Sequence, residues 1–273
     1  MRITTWNINS VRLRINSVLD FLEKAAPDVL CLQETKCPDD QFPEKQIRKA
    51  GYEHIALCGQ KSYNGVAILS RLPLQDVSSR SFCGKSDARH VSAKLPGAIT
   101  LHNFYVPAGG DEPDPDANEK FAHKLDFLAE MAEWLTPAGA SRQRMVLVGD
   151  LNVAPRPSDV WSHKQLLNVV SHTPIEVERL DAVMASRGWL DVARELVPEP
   201  EPIYSWWSYR AKDWRASNRG RRLDHIWATP ALKKAALANG PAGFRVHDDV
   251  RDWEKPSDHA PVTVDFDLAA KSG

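Results

Sequence analysis

The sequence contains no apolar run that approaches the roughly 20 residues needed to cross a lipid bilayer. Its first residues, Met1 to Trp6, lack the apolar stretch of a secretory signal and enter an alternating strand-like pattern directly. Its four cysteines do not have the paired spacing of a metal site, and Cys31 and Cys58 fall inside apolar runs. We therefore expect a cytoplasmic protein with reduced cysteines and no membrane partner.

Charge of one sign is not in excess either, because 35 basic residues stand against 36 acidic ones and the net charge is −1. This balance neither favours nor excludes a polyanionic partner. The distribution is uneven: residues 111–116 are acidic and interrupted by prolines, whereas residues 206–222 carry six cations against the single Asp213. These cations are Arg210, Lys212, Arg215, Arg219, Arg221 and Arg222. A near-neutral protein can still bind DNA through one such basic face.

The 273 residues are 42% hydrophobic and 26% charged, which is ordinary for a globular enzyme and excludes a disordered chain. No linker and no short repeat divides the sequence, so we predict one domain over residues 1–273. Alternating strand patterns between a few amphipathic helices favour an antiparallel or mixed sheet over pure βαβ units. The fold class expected from this pattern is α+β (α/β).

The most informative stretch is the apolar run Met145–Val148, which reads as a strand buried on both faces. Gly149 then permits a close backbone approach, and Asp150 and Asn152 are left at the carboxyl end of the strand. A buried carboxylate is costly unless a cation, a proton or hydrogen-bond donors neutralise it. We interpret these residues as facing a phosphodiester and a divalent metal. The alternative is that Asp150 only starts an Asx-turn.

Polar side chains also end two earlier strands. Val29–Gln33 is followed by Glu34, and the strand from Arg2 is followed by Asn7 and Asn9. Glu34 and Asp150 thus each follow an apolar strand. Two acids placed in this way are what a shared metal site would use, since Mg²⁺ takes one or two protein carboxylates. Taken alone, Glu34 is equally compatible with a cap or a solvated residue, and an Asn after a strand is usually a turn residue.

Periodicity predicts three helices, at Val11–Ala25, Asn118–Leu135 and Glu176–Arg187. The second has the clearest apolar stripe and is expected to end at residues 137–139. Further strands are predicted at 52–58, 65–69, 91–95, 99–106, 222–227 and 262–266. The strand at 99–106 places Tyr105 near its end, where an aromatic side chain contributes either to packing or to a cleft.

A block of aromatic and basic residues, Tyr204–Arg210, is suited to stacking on bases or sugars while contacting phosphates. The alternative is a tryptophan-rich core strand. Trp161–Gln165, which includes Lys164, is a second segment that could meet a nucleic-acid backbone. Near the end of the chain, Asp258 and His259 point to opposite sides of an extended segment, so His259 needs another carboxylate to orient it. Asp224 is the candidate.

These strand-end residues fall in one order along the chain, from Trp6-Asn7 through Gln33-Glu34, Tyr105 before Pro107, Gly149-Asp150-Leu151-Asn152 and Leu223-Asp224 to Ser257–Pro261. The whole set resembles the exonuclease III family of abasic-site endonucleases, within the endonuclease/exonuclease/phosphatase superfamily. The resemblance implies a four-layer αββα sandwich of two mixed β-sheets flanked by helices. It also implies Mg²⁺-dependent hydrolysis of DNA phosphodiesters, with Mn²⁺ able to substitute. The expected partner is double-stranded DNA with abasic sites or damaged 3′ ends, bound by a monomer.

The resemblance also implies roles for individual residues. Metal binding is expected from Glu34, supported by Asn7, with Asp258 near the metal or holding a second one. Asp150 is expected to orient and deprotonate the attacking water, and Asp224 to orient His259. Phosphate oxygens are expected to be held by Asn152, Tyr105 and His259. DNA binding is expected from Arg89, Lys164, Trp206, Tyr209, Arg210 and Arg221.

One residue departs from the family pattern. Arg221 stands where the family often has an apolar or aromatic wall of the sugar pocket, which puts strict abasic selectivity in question. Two other functions remain open: a phosphatase of the same superfamily acting on small phosphoesters or lipid headgroups, and a catalytically silent DNA-binding module. The sequence does not rank endonuclease against 3′-to-5′ exonuclease activity, and it does not distinguish one metal from two.

Overall fold

Two mixed β-sheets dominate the structure, a computed structural model that describes residues 1–136, 142–211 and 213–269. The strands are β1 (Arg2–Asn7), β2 (Val29–Gln33), β3 (His54–Cys58), β4 (Val66–Ser70), β5 (Gln75–Ser79), β6 (His90–Leu95), β7 (Ile99–Tyr105), β8 (Arg144–Asp150), β9 (Leu190–Asp191), β10 (Trp206–Trp207), β11 (Gly220–Arg221), β12 (Asp224–Ala228), β13 (Phe244–Val246) and β14 (Val262–Asp265). The first sheet has the order β13-β14-β1-β2-β4-β3 and the second β5-β6-β7-β8-β12-β9. Each sheet contains one parallel pair, β1 with β2 and β7 with β8.

Helices flank the two sheets. They are α1 (Ile15–Lys24), α2 (Glu44–Lys49), α3 (Glu119–Leu135), α4 (His163–Leu166), α5 (Pro174–Ala185), α6 (Val192–Leu196), α7 (Trp214–Ser217) and α8 (Lys233–Leu237). One buried cluster joins Phe21 of α1 to the first sheet, and another joins Leu128 of α3 and Leu180 of α5 to the second. None of the helices in the described ranges is long and apolar enough to span a membrane.

The main core lies between the sheets. Side chains from both inner faces, such as Ile3 and Cys31 of the first sheet and Val146 and Ile226 of the second, form one cluster. Burial of each large apolar side chain contributes about 1.5–3 kcal/mol, so this interface is a principal source of stability. The layers therefore run helix, sheet, sheet, helix, which confirms the predicted four-layer sandwich. The single-domain organisation over residues 1–273 stays a prediction.

The helix α3 agrees closely with its prediction. Its apolar stripe is buried, and Asn118 caps the first turn by accepting a hydrogen bond from the Lys120 backbone N–H at 3.0 Å. The predicted terminator at residues 137–139 lies outside the described residues.

Other predicted bounds were wrong by a few residues. Helix α1 begins at Ile15 rather than Val11, and Leu13 is exposed instead of packing on the apolar face. Ser10 and Val11 are held instead by backbone hydrogen bonds to Glu34 and Thr35, which keep the chain out of helical geometry here. Sequence reasoning also missed the short helices α2 and α6 and the exposed edge strand β5, because such short elements carry little periodicity.

Candidate active site

The strand registers bring the predicted acids to one edge of the sandwich. Asp150 is the last residue of β8 and pairs with Tyr105 on one side and Asp224 on the other. In the facing sheet, Asn7 pairs with Gln33, which places Glu34 just past the end of β2. Because the two sheets pack face to face, residues far apart along the chain meet in one cleft.

Gly149 is required for this arrangement. Its φ angle is +147°, and a Cβ atom there would lie 1.9 Å from the Phe104 carbonyl oxygen. No residue with a side chain fits so close to the neighbouring strand. Gly149 therefore lets β8 keep its register with β7 up to the point where the Asp150 side chain enters the cleft.

The Asp150 carboxylate is buried and held by three donors. It accepts hydrogen bonds from Asn7 Nδ2 at 2.9 Å, from the Asn152 backbone N–H at 3.0 Å and from Asn152 Nδ2 at 3.1 Å. Burial raises the pKa of Asp150, and the nearby charge of His259 lowers it. The effect of burial is larger, so the pKa is raised to about 7. A group with such a pKa can accept a proton from water near neutral pH.

His259 and Asp224 form the contact predicted for them. His259 Nδ1 donates to Asp224 Oδ2 at 2.8 Å, and Ser205 Oγ donates to the same oxygen at 2.6 Å. Burial alone would lower the pKa of His259, but the charges of Asp224 and Asp150 outweigh burial and raise it to about 10. The imidazole is therefore a cation at neutral pH, with Nε2 lying 3.7 Å from Asp150 Oδ2.

Backbone pairing fixes the position of His259. Trp206 of β10 bridges to His259, and the Ala260 N–H donates to the Ser205 carbonyl at 2.7 Å. The Ser257 hydroxyl donates to the Asn7 carbonyl at 2.6 Å, which ties this segment to the end of β1. The segment is consequently held between β10 and the end of β1.

Glu34 lines the cleft from just past the end of β2. Its Oε1 accepts hydrogen bonds from Asn7 Nδ2 at 2.8 Å and from the Tyr105 hydroxyl at 2.9 Å, and Lys36 lies 2.9 Å from Oε2. Burial favours the neutral acid, but the hydrogen bonds from Asn7 and Lys36 prevail and lower the pKa of Glu34. Burial and the charge of Glu34 raise the pKa of Tyr105 well above 10, so its phenol remains a neutral donor.

Asp258 completes the acidic side of the cleft. It accepts hydrogen bonds from Trp206 Nε1 at 2.9 Å and from Asn9 Nδ2 at 3.2 Å. Burial raises its pKa, but the charge of His259 and the hydrogen bond from Trp206 outweigh burial, so the pKa is lowered and the group is ionised.

The donor set fits a divalent cation. Glu34 and Asp258 are ionised carboxylates in the cleft wall, and buried Asp224 Oδ1 has no hydrogen-bond partner in the described part of the chain. Hard oxygen ligands of this kind suit Mg²⁺ or Mn²⁺. Asp150, Asp224 and His259 also lie within 4.8 Å of one another, but the last two already bind each other, which favours a proton-handling role for them.

Three predicted side chains make contacts within the protein that differ from the metal or phosphate contacts expected of them. Asn7 donates its amide group to Glu34 and Asp150 while its oxygen accepts the Asn9 backbone N–H, so it positions carboxylates instead of presenting an oxygen to the cleft. The Asn152 amide donates to the Val106 carbonyl and to Asp150, and the Tyr105 hydroxyl donates to Glu34. Phosphate contacts from Asn152 and Tyr105 stay predictions.

The predicted DNA-binding residues are only partly brought together. Trp206, Arg210 and Arg221 line the acidic cleft, which has a volume of about 550 Å³. Arg89 lines an adjoining cleft of about 400 Å³ on the far side of residues 108–110. Tyr209 instead donates to the Pro256 carbonyl, outside the lining. Lys164 is exposed on α4, also outside both linings, and Lys212 lies outside the described residues.

Arg221 occupies the side of the cleft next to Trp206. Its guanidinium carbon lies 5.2 Å from the centre of the Trp206 ring, and Nη1 donates to Ser171 Oγ at 2.7 Å and to the Val170 carbonyl at 2.9 Å. A second pair of the same kind, Arg219 over Trp161 at 4.7 Å, lines the same cleft. Cations therefore cover two indole faces that would otherwise be apolar walls.

Sequence reasoning missed several residues that orient the site. Ser205 holds Asp224, Lys36 pairs with Glu34, and Asn9 bridges Lys36 to Asp258. Lys36 carried a usable signal, since it is the nearest cation to a strand-end acid. Ser205 carried none, because it reaches Asp224 only once the chain at β10 has paired with β11, where the Ser205 N–H donates to the Arg221 carbonyl.

The comparison with known families agrees with this geometry. A profile of the Endonuclease/Exonuclease/phosphatase family matches residues 4–259. The chain belongs to this family.

Among individual members of the family, exodeoxyribonuclease III of Haemophilus influenzae is 31% identical over 277 residues, covering 97% of this chain and 100% of that protein. An AP endonuclease from Archaeoglobus fulgidus superimposes with a TM-score of 0.89 at 34% identity, covering 98% of this chain and 100% of the other. A 3′-5′ exonuclease from Neisseria meningitidis gives 0.86 at 32% identity with the same coverage. The predicted membership of the exonuclease III branch is confirmed, as is the prediction of a hydrolytic nuclease of the DNA-repair type.

Proposed function

We propose that this protein cleaves the phosphodiester 5′ to abasic sites, removes blocking groups from 3′ ends, and degrades duplex DNA from its 3′ ends. The observation that carries the proposal is the joint position of Asp150 and His259. A buried carboxylate with a pKa near 7 lies 3.7 Å from a buried imidazolium, at the floor of an open cleft. The relatives named above act on DNA ends and abasic sites by their names, which supports the choice of substrate.

Phosphodiester hydrolysis needs an activated water in line with the leaving oxygen and positive charge around the phosphoryl group. Asp150 can accept the proton of that water, since Asn7 and Asn152 hold its carboxylate in one orientation. The His259 imidazolium can donate its Nε2 proton in a hydrogen bond to a phosphoryl oxygen. Asp224 keeps Nδ1 protonated and fixes the plane of the ring.

We propose Mg²⁺ as the cation, with Mn²⁺ as a substitute. When bound, it would neutralise charge that develops on the phosphoryl and leaving oxygens. Glu34 would hold it, with Asp258 close by, because both carboxylates are ionised and fixed by neighbouring donors. Lys36 limits the space for a second ion beside Glu34, since its ammonium occupies Oε2 at 2.9 Å.

The surrounding surface suits a duplex. The two adjoining clefts share Ala108 and Gly110 in their lining, and we propose that a duplex uses them as one groove past the acids. Cations line both ends of the groove: Arg210, Arg219 and Arg221 at one, and Lys85, Arg89 and Lys120 at the other. Such an arrangement can contact phosphates on both sides of the scissile bond while the acids face the bond itself. One chain supplies the whole site, so we propose that the active form is a monomer.

The test is cleavage of three end-labelled duplexes: one with a single abasic analogue, one with a 3′-phosphate and one undamaged. Each is incubated with Mg²⁺, with Mn²⁺ and with a chelator. We expect metal-dependent cleavage of the first two and slower shortening of the third, with Asp150→Asn inactive on all. Absence of any metal-dependent product from the unmodified protein would contradict the proposal.

A further inference from the structure

A fully buried ion pair lies behind the cleft, outside the residues that carry the chemistry. Lys124 of α3 and Glu176 of α5 contact each other, and both side chains have 0% exposure. Removing two charges from water costs several kcal/mol per ion in proteins, and their attraction often does no more than offset that cost. A gain in stability is therefore a poor explanation for this pair, and its other contacts are more informative.

The Lys124 ammonium connects two loops that line the cleft. It donates to the Asn152 carbonyl at 2.7 Å, to the Ala108 carbonyl at 3.3 Å and to Glu176. An ammonium has three donors, and all three are used here. Asn152 follows β8 and Ala108 follows β7, so one charge joins the ends of the two parallel strands to helix α5.

Glu176 organises a third loop in the same way. Both of its carboxylate oxygens accept the Ser171 backbone N–H at 2.9 Å, and Oε2 also accepts the Thr173 hydroxyl at 2.7 Å. Ser171 lines the cleft, and its hydroxyl accepts the hydrogen bond from Arg221. The carboxylate thus fixes the loop against which Arg221 is anchored.

The two residues held in this way have strained backbones. Asn152 has a φ angle of 54° and Ser171 one of 87°, both in the left-handed region. Asparagine tolerates this region better than serine does, and such conformations persist only where the surroundings fix them. One partner of the ion pair binds the backbone of each strained residue.

We propose that Lys124 and Glu176 are a positioning pair for the nuclease reaction. Lys124 fixes Asn152, which orients Asp150, and Glu176 fixes Ser171, which anchors Arg221 beside Trp206. The pair itself touches neither substrate nor metal. This inference rests on the proposed nuclease function, and its test separates the two.

The test uses the charge-free double variant Lys124→Met/Glu176→Gln, which keeps the side-chain volumes and removes both charges together. The matched control is Lys94→Met/Asp76→Asn, which removes an ion pair of the same type whose side chains are 54% and 67% exposed on strands β6 and β5. We expect kcat on the abasic duplex to fall about 10- to 100-fold in the buried variant, with KM changed much less. The reason is that the substitutions disturb the orientation of the catalytic groups. The control should match the unmodified protein.

A second readout does not depend on activity. Hydrogen exchange at the Ser171 backbone N–H should accelerate in the buried variant and remain unchanged in the control, while exchange in the core strand β8 is preserved. Glu176→Asp serves as a milder variant if the double variant folds poorly, because it keeps both charges and only shortens the side chain that accepts the Ser171 N–H. The same two expectations apply to it.

An unchanged kcat in a folded variant would overturn the inference, as would a fall in kcat that tracks a general loss of stability and exchange protection. If the unmodified protein cleaves no DNA, the proposed function fails, while exchange at Ser171 still decides whether the pair fixes this loop.

Discussion

Arg222 and Asp224 are two residues apart in the sequence but belong to two different groups of charged side chains. The two groups differ in their balance of cations and anions. Arg222 is buried with Asp159, Asp191 and Arg194, giving two cations and two anions. Asp224 belongs to the active-site group, where the ion pairs of the four acids Glu34, Asp150, Asp224 and Asp258 with described residues are those to His259 and Lys36.

The donors and acceptors show the same contrast. Both carboxylate oxygens of Asp159 are bound by Arg222, whereas Asp224 Oδ1 is buried without a hydrogen-bond partner in the described ranges. The pKa of Asp159 is lowered because Arg222 and Arg194 outweigh its burial, while burial raises the pKa of Asp150. A neutral, fully paired cluster holds the fold together, whereas an excess of negative charge marks a place for a cation and a phosphate.

The largest effect should come from Asp150→Asn, which removes the proposed base. Asp150 belongs to the active-site group, in which acids outnumber cations and which we call the unbalanced group. We expect single-turnover cleavage of the abasic duplex to fall by about 10²- to 10⁴-fold. DNA affinity should be equal or higher, because a buried negative charge is lost. Fluorescence anisotropy with labelled duplex measures the affinity. Cleavage at the unmodified rate would contradict the assignment of Asp150.

Asp159→Asn should act on stability instead of chemistry. The change leaves Arg222 and Arg194 short of a carboxylate inside the protein, and breaking one partner of a buried ion pair costs about 3–5 kcal/mol. Urea unfolding of this variant and of Asp150→Asn makes the comparison directly. If Asp159→Asn is as stable as the unmodified protein, the Asp159 group does not have the stabilising role that distinguishes it from the active-site group.

His259→Asn should lower cleavage about 10²- to 10³-fold, because it removes the cationic donor to the phosphoryl oxygen. Asp224→Asn tests the same contact from the other side, and its effect should be no larger than that of His259→Asn. Measuring the two variants and their combination gives the coupling between them. Fully additive losses would argue that Asp224 acts independently of His259.

The pH dependence of kcat/KM sharpens the comparison further. Asp150 must lose its proton and His259 must keep its own, so the profile should rise through the Asp150 pKa of about 7 and fall through the His259 pKa of about 10. A cation in the cleft favours the carboxylate and should move the acid limb to lower pH. His259→Asn should abolish the alkaline limb, and retention of that limb would assign it to another group.

The same groups predict the sign of a stability change. The folded-state pKa of His259 is raised from 6.5 to about 10, so its contribution is complete below pH 6.5 and is lost as the pH rises through 10. The pKa of Asp150 is raised from 3.8 to about 7, so its contribution also declines as the pH rises through 7. Urea unfolding from pH 6 to pH 10 should show falling stability, with the decline reduced in His259→Asn. An equal decline in that variant would exclude His259 as the source.

The smallest effect should come from Arg221→Leu, which uncovers the Trp206 ring. A partly exposed cation–π contact contributes about 0.5–2 kcal/mol of interaction free energy. Its loss should therefore change the cleavage rates by a few-fold to about 30-fold. We expect abasic-site incision to gain relative to removal of a 3′-phosphate, because an apolar wall suits a neutral sugar. An unchanged ratio would show that Arg221 does not select the substrate.

The sequence was informative where local patterns carry chemistry. Apolar strands that are followed by Glu34, that end at Asp150 or that begin near Asp224 could be recognised directly, and strand pairing then brings these acids together. The Asp224–His259 contact could be inferred because Asp258 faces the wrong side to orient its neighbour. The remaining contacts depend on tertiary packing: Ser205 reaches Asp224, and Lys124 reaches Glu176, only after distant segments have docked. Polar side chains of that kind carry no periodic signal.

The central claim is that the unbalanced group of acids is the catalytic one. Its most direct test is single-turnover cleavage of one abasic-analogue duplex by the unmodified protein, Asp150→Asn and Asp159→Asn, at a temperature where all three are folded. The account predicts metal-dependent cleavage by the unmodified protein and by Asp159→Asn at comparable rates, and cleavage about 10²- to 10⁴-fold slower by Asp150→Asn. Equal loss in both variants, or no loss in Asp150→Asn, would contradict it.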